Sequence, residues 1–181
     1  NSVLTYTPAR DANGLPTATA ATLRKIIGNP NPDYTASLVN EISYKNFGLR
    51  VQIDAVKGVD VFNADFRTRQ GVGNGKVAEQ EDLGQLPRGY IAGIYAIEQW
   101  RIDDGDYVKL REVSLSYNFG KIGYISNLGF SLSGRNLISW DNYKGYDPEV
   151  NAGGQSTILR GIDFGAVPIP RTISFSIKAQ F

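Results

Sequence analysis

Arg171-Thr172-Ile173-Ser174-Phe175-Ser176-Ile177-Lys178-Ala179-Gln180-Phe181 is the stretch whose reading decides the fold. Ile173, Phe175, Ile177, Ala179 and Phe181 share one face of an extended strand. Thr172, Ser174, Ser176, Lys178 and Gln180 share the other. A tilted strand crosses a hydrocarbon layer in about 9–11 residues, so this one is long enough to do so. A strand of a soluble sandwich alternates in the same way, and the rest of the chain has to separate the two cases.

Working outward, the same alternation recurs. Leu128, Phe130 and Leu132 oppose Ser131, Ser133 and Arg135 in a strand expected over 128–140. A strand over 105–119 carries Val113, Leu115, Tyr117 and Phe119 on one parity, but Val108 and Leu110 on the other. The phase flips near Arg111 and Glu112, which predicts a β-bulge, since one extra residue restores the apolar face. The alternative is that Val108 and Leu110 already lie above a membrane, where parity need not be kept. Two further strands, over 34–46 and 48–59, form a hairpin about a tight turn at Asn46-Phe47-Gly48. Leu38, Ile42, Tyr44, Leu49, Val51 and Ile53 make its apolar face.

Composition removes several classes of function. The 181 residues contain no Cys and no His, which excludes thiol nucleophiles, thiolate or imidazole metal sites and imidazole-based triads. A net charge of +1 argues against a nucleic-acid partner. No run approaches the roughly 18 apolar residues of a membrane-spanning helix, which leaves a membrane barrel open because a barrel strand is only half apolar. The carboxylates sit mostly in loops without a convergent pair, so no enzyme is expected, and no cofactor. Asp103, Asp104 and Asp106 flank Gly105 at a strand start and read as a polar turn rather than metal ligands. Gly71-Val72-Gly73-Asn74-Gly75 lacks the Lys-Ser or Lys-Thr of a phosphate loop and reads as a flexible loop.

The connections decide between sandwich and barrel. They alternate short, long, short, long, with both short ones on the side where Phe181 ends. Residues 60–100 and 141–170 far exceed ordinary hairpin loops. Brief turns on one side and long loops on the other are the plan of an outer-membrane barrel. Tyr44, Phe47, Tyr117, Phe119 and Phe181 fall at the short-turn side, and Tyr34, Trp100, Tyr107 and Trp140 at the other, as two interfacial girdles would place them. The polar face offers Glu41, Lys45, Arg50, Gln52, Asp54, Glu112, Arg135 and Lys178 to a wet or plugged lumen. Five strands cannot close such a barrel, and open edges in lipid are prohibitive, so these strands must pair with others. The chain begins at Asn1 without Met and is expected to be a processed or truncated product. The competing reading is a soluble β-sandwich acting as a carbohydrate-binding module.

Several stretches carry a family resemblance. They are Ile27-Gly28-Asn29-Pro30-Asn31-Pro32-Asp33-Tyr34-Thr35, Ser43-Tyr44-Lys45-Asn46-Phe47, and Asp104 to Arg111 running into Leu115-Ser116-Tyr117-Asn118. Gly134-Arg135-Asn136-Leu137, Tyr143-Lys144-Gly145-Tyr146-Asp147-Pro148-Glu149 and Pro170 to Phe181 follow in order. Together they resemble the carboxy-terminal part of SusC/RagA-type TonB-dependent outer-membrane transporters of Bacteroidetes.

The resemblance implies an all-β fold: five C-terminal antiparallel strands of a transmembrane β-barrel of roughly 22 strands, with long extracellular loops and short periplasmic turns. Residues 1–33 are then an extracellular connection and 34–181 the barrel segment, its closing strand over 171–181. The implied function is part of a nutrient importer for oligosaccharides or peptides in the cell outer membrane. Its implied partners are the rest of the barrel and plug, a SusD-like surface lipoprotein, TonB through a missing amino-terminal part, the outer-membrane assembly machinery and membrane lipid. Trp140, Tyr143 and Tyr146 are candidates for ligand or partner contact in the loops. Residues 11–20 offer few carboxylates where family members often carry a calcium-loop-like segment, which argues against calcium there. The resemblance makes Phe175 and the terminal Phe181 an assembly signal. Deleting Phe181 is expected to lower the yield of assembled barrel more than transport per assembled barrel, measured by outer-membrane fractionation beside uptake.

Overall fold

A computed structural model of the chain describes residues 26–96, 98–154 and 158–181, together with Ala12 and Ser156. Within the 1–33 connection the sequence also admits a short strand over 1–7 and helical turns over 17–25; these, and apart from Ala12 the 11–20 segment considered for calcium, lie outside the described residues. The described elements, in order, are β1 (Tyr34–Tyr44), β2 (Phe47–Lys57), β3 (Asp60–Asn63), α1 (Ala64–Gly71), α2 (Lys76–Asp82) and α3 (Tyr90–Ala96). After a 3₁₀ turn at Glu98–Arg101 come β4 (Ile102–Asp104), β5 (Tyr107–Ile122), β6 (Ile125–Asp141), β7 (Ile162–Asp163) and β8 (Thr172–Gln180).

The long strands form one antiparallel sheet in the order β1-β2-β5-β6-β8. Leu38 pairs with Ile53, Ile53 with Leu110, and Leu110 with Ile138, so the apolar residues fall on one face. Farther along, Val113, Gly134 and Ile173 continue that face. The predicted bulge is present. Ladder pairing on β5 passes from Leu110 to Glu112 against both neighbours and leaves Arg111 as the extra residue. Opposite it, β6 passes from Ile138 to Arg135, so Asn136 and Leu137 are extra there, and Asn136 has φ of +51°. The insertions keep Val108 and Leu110 in phase with Val113 and Leu115.

Two connections differ from expectation. The hairpin turn is Lys45–Asn46, with Lys45 at φ +51°, and Phe47 and Gly48 already belong to β2. The connection expected over Gly120–Asn127 shrinks to Gly123–Tyr124, with Gly123 at φ +58°. Gly120, at φ +70°, interrupts the register within β5 without ending it. The side chain of Asn118 there accepts the Gly120 amide at 2.8 Å, which lets the strand continue past the irregularity.

The apolar face of this sheet is open: Leu38, Ile42, Ile173, Phe175 and Ile177 are all more than half exposed. A soluble sandwich would bury that face beneath a second sheet about 10 Å away.

A second compact unit contains residues 26–32, 58–105 and 143–168, so both long connections contribute to one folded body. Its sheet has the order β4-β3-β7, with β3 antiparallel to β4 and parallel to β7. Three short helices stand where the sequence suggested loop. The glycine-rich 71–75 stretch is the α1–α2 turn, tied by Gly73 N–H to Gln70 O at 3.0 Å and Asn74 N–H to Arg69 O at 2.8 Å. Gly161 holds φ +65° where the chain approaches β3: its carbonyl accepts the Phe62 amide at 2.7 Å, and an added Cβ would lie 2.9 Å from Asp60 O. Gly161→Ala is expected to cost this unit about 1–3 kcal/mol through strain and backbone collision. Faster limited proteolysis within 143–168 would show it.

Candidate functional site

The polar face of the five-stranded sheet carries its charge in two rungs. In the rung nearer the short turns, Arg50 pairs with Glu41 directly across β1 and β2. Arg50 Nε also lies 3.6 Å from Glu112 Oε1, and Arg135 Nε lies 3.3 Å from Glu112 Oε2. Carboxylate, guanidinium, carboxylate and guanidinium thus alternate across four strands. Each pair is partly hydrated and worth little by itself, but the run leaves no block of like charge.

The second rung depends on the bulge. Ser37 donates to Asp54 Oδ1 at 2.6 Å, and Gln52 donates to the same oxygen at 3.1 Å. Arg111 donates from Nε to Asp54 Oδ2 at 2.7 Å and from Nη1 to Asn136 Oδ1 at 2.9 Å. Asn136 donates in turn to Pro170 O at 3.2 Å, just ahead of β8. Polar contacts therefore link β1, β2, β5 and β6 at one level and reach the backbone just ahead of β8. A regular strand would send Arg111 to the face opposite Glu112; the extra residue lets both reach the polar side.

Of the lumen-facing candidates, Glu41, Arg50, Gln52, Asp54 and Arg135 join these rungs. Lys178 lies on the same face opposite Gly129, toward the short turns. Lys45 is a correction: it occupies the hairpin turn, with Nζ 5.3 Å from the Tyr44 ring, because the turn comes one residue earlier than expected. The roles of Ser37 and Asn136 went unrecognised in the sequence. The phase flip located Arg111 but not its partners.

On the apolar face, aromatic rings run across the short-turn end from β2 to β8. Centroid separations are 4.4 Å for Phe47–Tyr117, 4.5 Å for Tyr117–Phe119, 5.1 Å for Phe119–Phe130 and 6.0 Å for Phe130–Phe175. At the opposite end, two expected girdle residues stand elsewhere. Tyr107 pairs with Val56 on the polar-face parity, and Lys109 Nζ sits 4.9 Å from its ring. Trp100 belongs to the 3₁₀ turn of the loop unit and stacks on Tyr90.

That loop unit has a polar interior. Asn63 is fully buried and caps α1 by accepting the Phe66 amide at 2.8 Å, while its Nδ2 donates to Asp103 Oδ2 at 2.9 Å. Lys144 Nζ lies 3.1 Å from the other Asp103 oxygen. Tyr143 is buried and donates its hydroxyl to Asp163 at 2.7 Å. Burial, and then the adjacent Asp163 carboxylate, push the Tyr143 phenol well above its ordinary range, so it stays a donor. Among the three aromatics expected in the loops, Tyr143 is thus committed to the interior. Tyr146 is exposed, with the Arg69 guanidinium 5.2 Å from its ring. Trp140 is a correction: it lies in β6, paired with Val108 on the apolar face, because that strand runs on to Asp141.

No family model matches the chain. In sequence it is similar to TonB-dependent receptors, and in fold to part of a solved transporter complex. TonB-dependent receptor P3 of Formosa agariphila is 29% identical over 177 residues, covering 87% of this chain and 17% of the receptor. TonB-dependent receptor P26 of the same organism is 28% identical over 176 residues, covering 86% and 18% respectively. The structure of the RagAB peptide transporter superposes with a TM-score of 0.68 at 19% identity, covering 95% of this chain and 20% of that one. The chain thus spans about a fifth of the length of the proteins it matches. These likenesses bear out the SusC/RagA-type resemblance carried by the sequence motifs.

Replacing Arg111 by Leu in the full-length protein leaves Asp54 without its guanidinium and Asn136 without a donor. The sheet is expected to lose about 2–3 kcal/mol. Arg111→Lys should recover only part of this, since an ammonium cannot fork to both partners. Thermal unfolding in detergent, followed by loss of β-sheet circular dichroism, measures both.

Proposed function

We propose that this chain is the carboxy-terminal wall of a TonB-dependent outer-membrane importer. Its five long strands form part of a closed barrel of roughly 22 strands, with β8 and the Phe181 end at the seam. The observation that carries this reading is the two-sided sheet. One face is open, apolar and crossed by a continuous aromatic row; the other bears two neutralised polar rungs. Two-residue turns close one end, and connections that fold into a body of their own leave from the other.

The apolar face meets membrane lipid, and the aromatic row marks the periplasmic interface. Glu41, Arg50, Gln52, Asp54, Arg135 and Lys178 face the lumen and the plug. The loop unit is extracellular, where Tyr146 meets cargo or a SusD-like lipoprotein; Trp140, opposite Val108 on the apolar face of β6, joins the interfacial girdle instead. A neighbour named as a peptide transporter supports peptide cargo, and the family resemblance supports oligosaccharides as the other class. The transport energy comes from TonB, acting on a part of the protein outside these residues. Phe175 and Phe181 guide assembly. Nothing in the charge balance calls for nucleic acid, and no catalytic step is proposed. A soluble carbohydrate-binding sandwich is disfavoured by the uncovered apolar face.

Fractionation of cells producing the native gene tests the reading. The chain is expected in outer-membrane detergent extracts, within or bound to a much larger polypeptide and with heat-modifiable mobility. Recovery as a soluble monomer of 19.8 kDa would overturn it.

A further inference from the structure

The helices of the loop unit are short, and side-chain caps set where they lie. Gln70 Oε1 accepts the Ala78 amide at 2.9 Å and fixes the first turn of α2. Glu81, on α2, then accepts the Gly89 and Ile91 amides on its two carboxylate oxygens, each at 2.7 Å. That clamp positions the start of α3 and stands Tyr90 against Trp100, with ring centroids 5.4 Å apart and planes 23° apart.

Beside the stacked pair lies a cavity of about 490 Å³. Phe66, Val77, Tyr90, Trp100 and Ile102 supply apolar wall, and Gln99 and Lys144 supply the polar groups. The volume falls within the range of small-molecule sites, as does the pattern of mostly apolar wall with a few polar groups. Lys144 is held at its place by Asp103, 3.1 Å from Nζ, while its side chain is 69% exposed. An ammonium has three donors, and Asp103 occupies one. No carboxylate stands among the described lining residues, which disfavours a cationic ligand.

We propose that this cavity binds an aromatic group carrying a carboxylate. The ring lies against the Tyr90–Trp100 pair, the carboxylate accepts a hydrogen bond from Lys144 Nζ, and the Gln99 amide supplies the second polar contact. A sugar is the competing occupant: its hydroxyls would find Gln99, Lys144, the Tyr90 hydroxyl and the Trp100 indole N–H, but a neutral ligand makes less use of the Lys144 ammonium than a carboxylate does. The ligand is either a free aromatic acid or the carboxy-terminal aromatic residue of a peptide. The site stands independently of the transport reading, because binding here requires no movement across a membrane.

Equilibrium dialysis of the full-length protein in detergent tests the proposal with N-acetyl-phenylalanine, its carboxamide, phenylacetate and methyl glucoside as probes. N-acetyl-phenylalanine is expected to bind about tenfold more tightly than the carboxamide, the loss of one charge-assisted contact. Its binding should weaken as salt is raised, while that of the carboxamide should not. Phenylacetate binding as tightly as N-acetyl-phenylalanine identifies a free acid as the ligand; weaker binding identifies a peptide end. Trp100→Leu should weaken both aromatic acids, and Lys144→Met should remove the difference between acid and carboxamide. Should either variant fail to assemble, the salt dependence of the unaltered protein still decides. Equal binding of acid and carboxamide, preference for the glucoside, or no binding overturns the proposal without touching membrane localisation or uptake.

Discussion

The Arg111 guanidinium holds the sheet together at the point where two strands take in extra residues. One N–H bonds Asp54 on β2 and another bonds Asn136 on β6. Without an insertion on β5, Val108 and Leu110 would fall on the face opposite Val113 and Leu115, and one half of the strand would turn its apolar residues toward the polar face. The insertion corrects the phase but leaves an irregular ladder. Arg111 spans that irregularity and, through Asn136, reaches the backbone before β8. A single side chain thereby ties the local repair on β5 to β2, to β6 and to the backbone just ahead of β8.

The two units solve the problem of polar atoms in different ways. The large sheet sorts them by face, so its charges meet one another laterally and its apolar side chains gather on the other side, uncovered among the described residues. The loop unit buries them instead. Asn63, Asp103, Tyr143 and Asp163 are all less than a tenth exposed, yet each has a partner of matching chemistry. Such interiors depend on complete satisfaction, since a buried polar group without a partner costs about 1–3 kcal/mol. Short helices capped by Asn63, Gln70 and Glu81 fit this scheme, because each cap removes exposed backbone donors and fixes a direction at once.

The sequence alone determined which residues share a face, where β5 must bulge, and that two short turns alternate with two long connections. Those properties follow from a two-residue side-chain period and from the conformations of neighbouring residues, which are local. It also carried the motifs whose likeness to TonB-dependent receptors the comparisons bear out. Turn positions were legible only to within a residue or two, since Lys45 and Gly123 adopt positive φ inside stretches that otherwise read as strand and turn alike.

Only the tertiary structure decided that residues 58–105 and 143–168 fold together, that Tyr143 points inward, and that Trp100 stacks on Tyr90 instead of joining a girdle. It also decided the partners of Arg111. These facts rest on contacts between residues far apart in the chain: 57 positions separate Arg111 from Asp54, and 40 separate Asn63 from Asp103. Periodicity records the direction of a side chain relative to its own strand. Which distant group waits there is set by register and loop packing, and those exist only once the chain has folded.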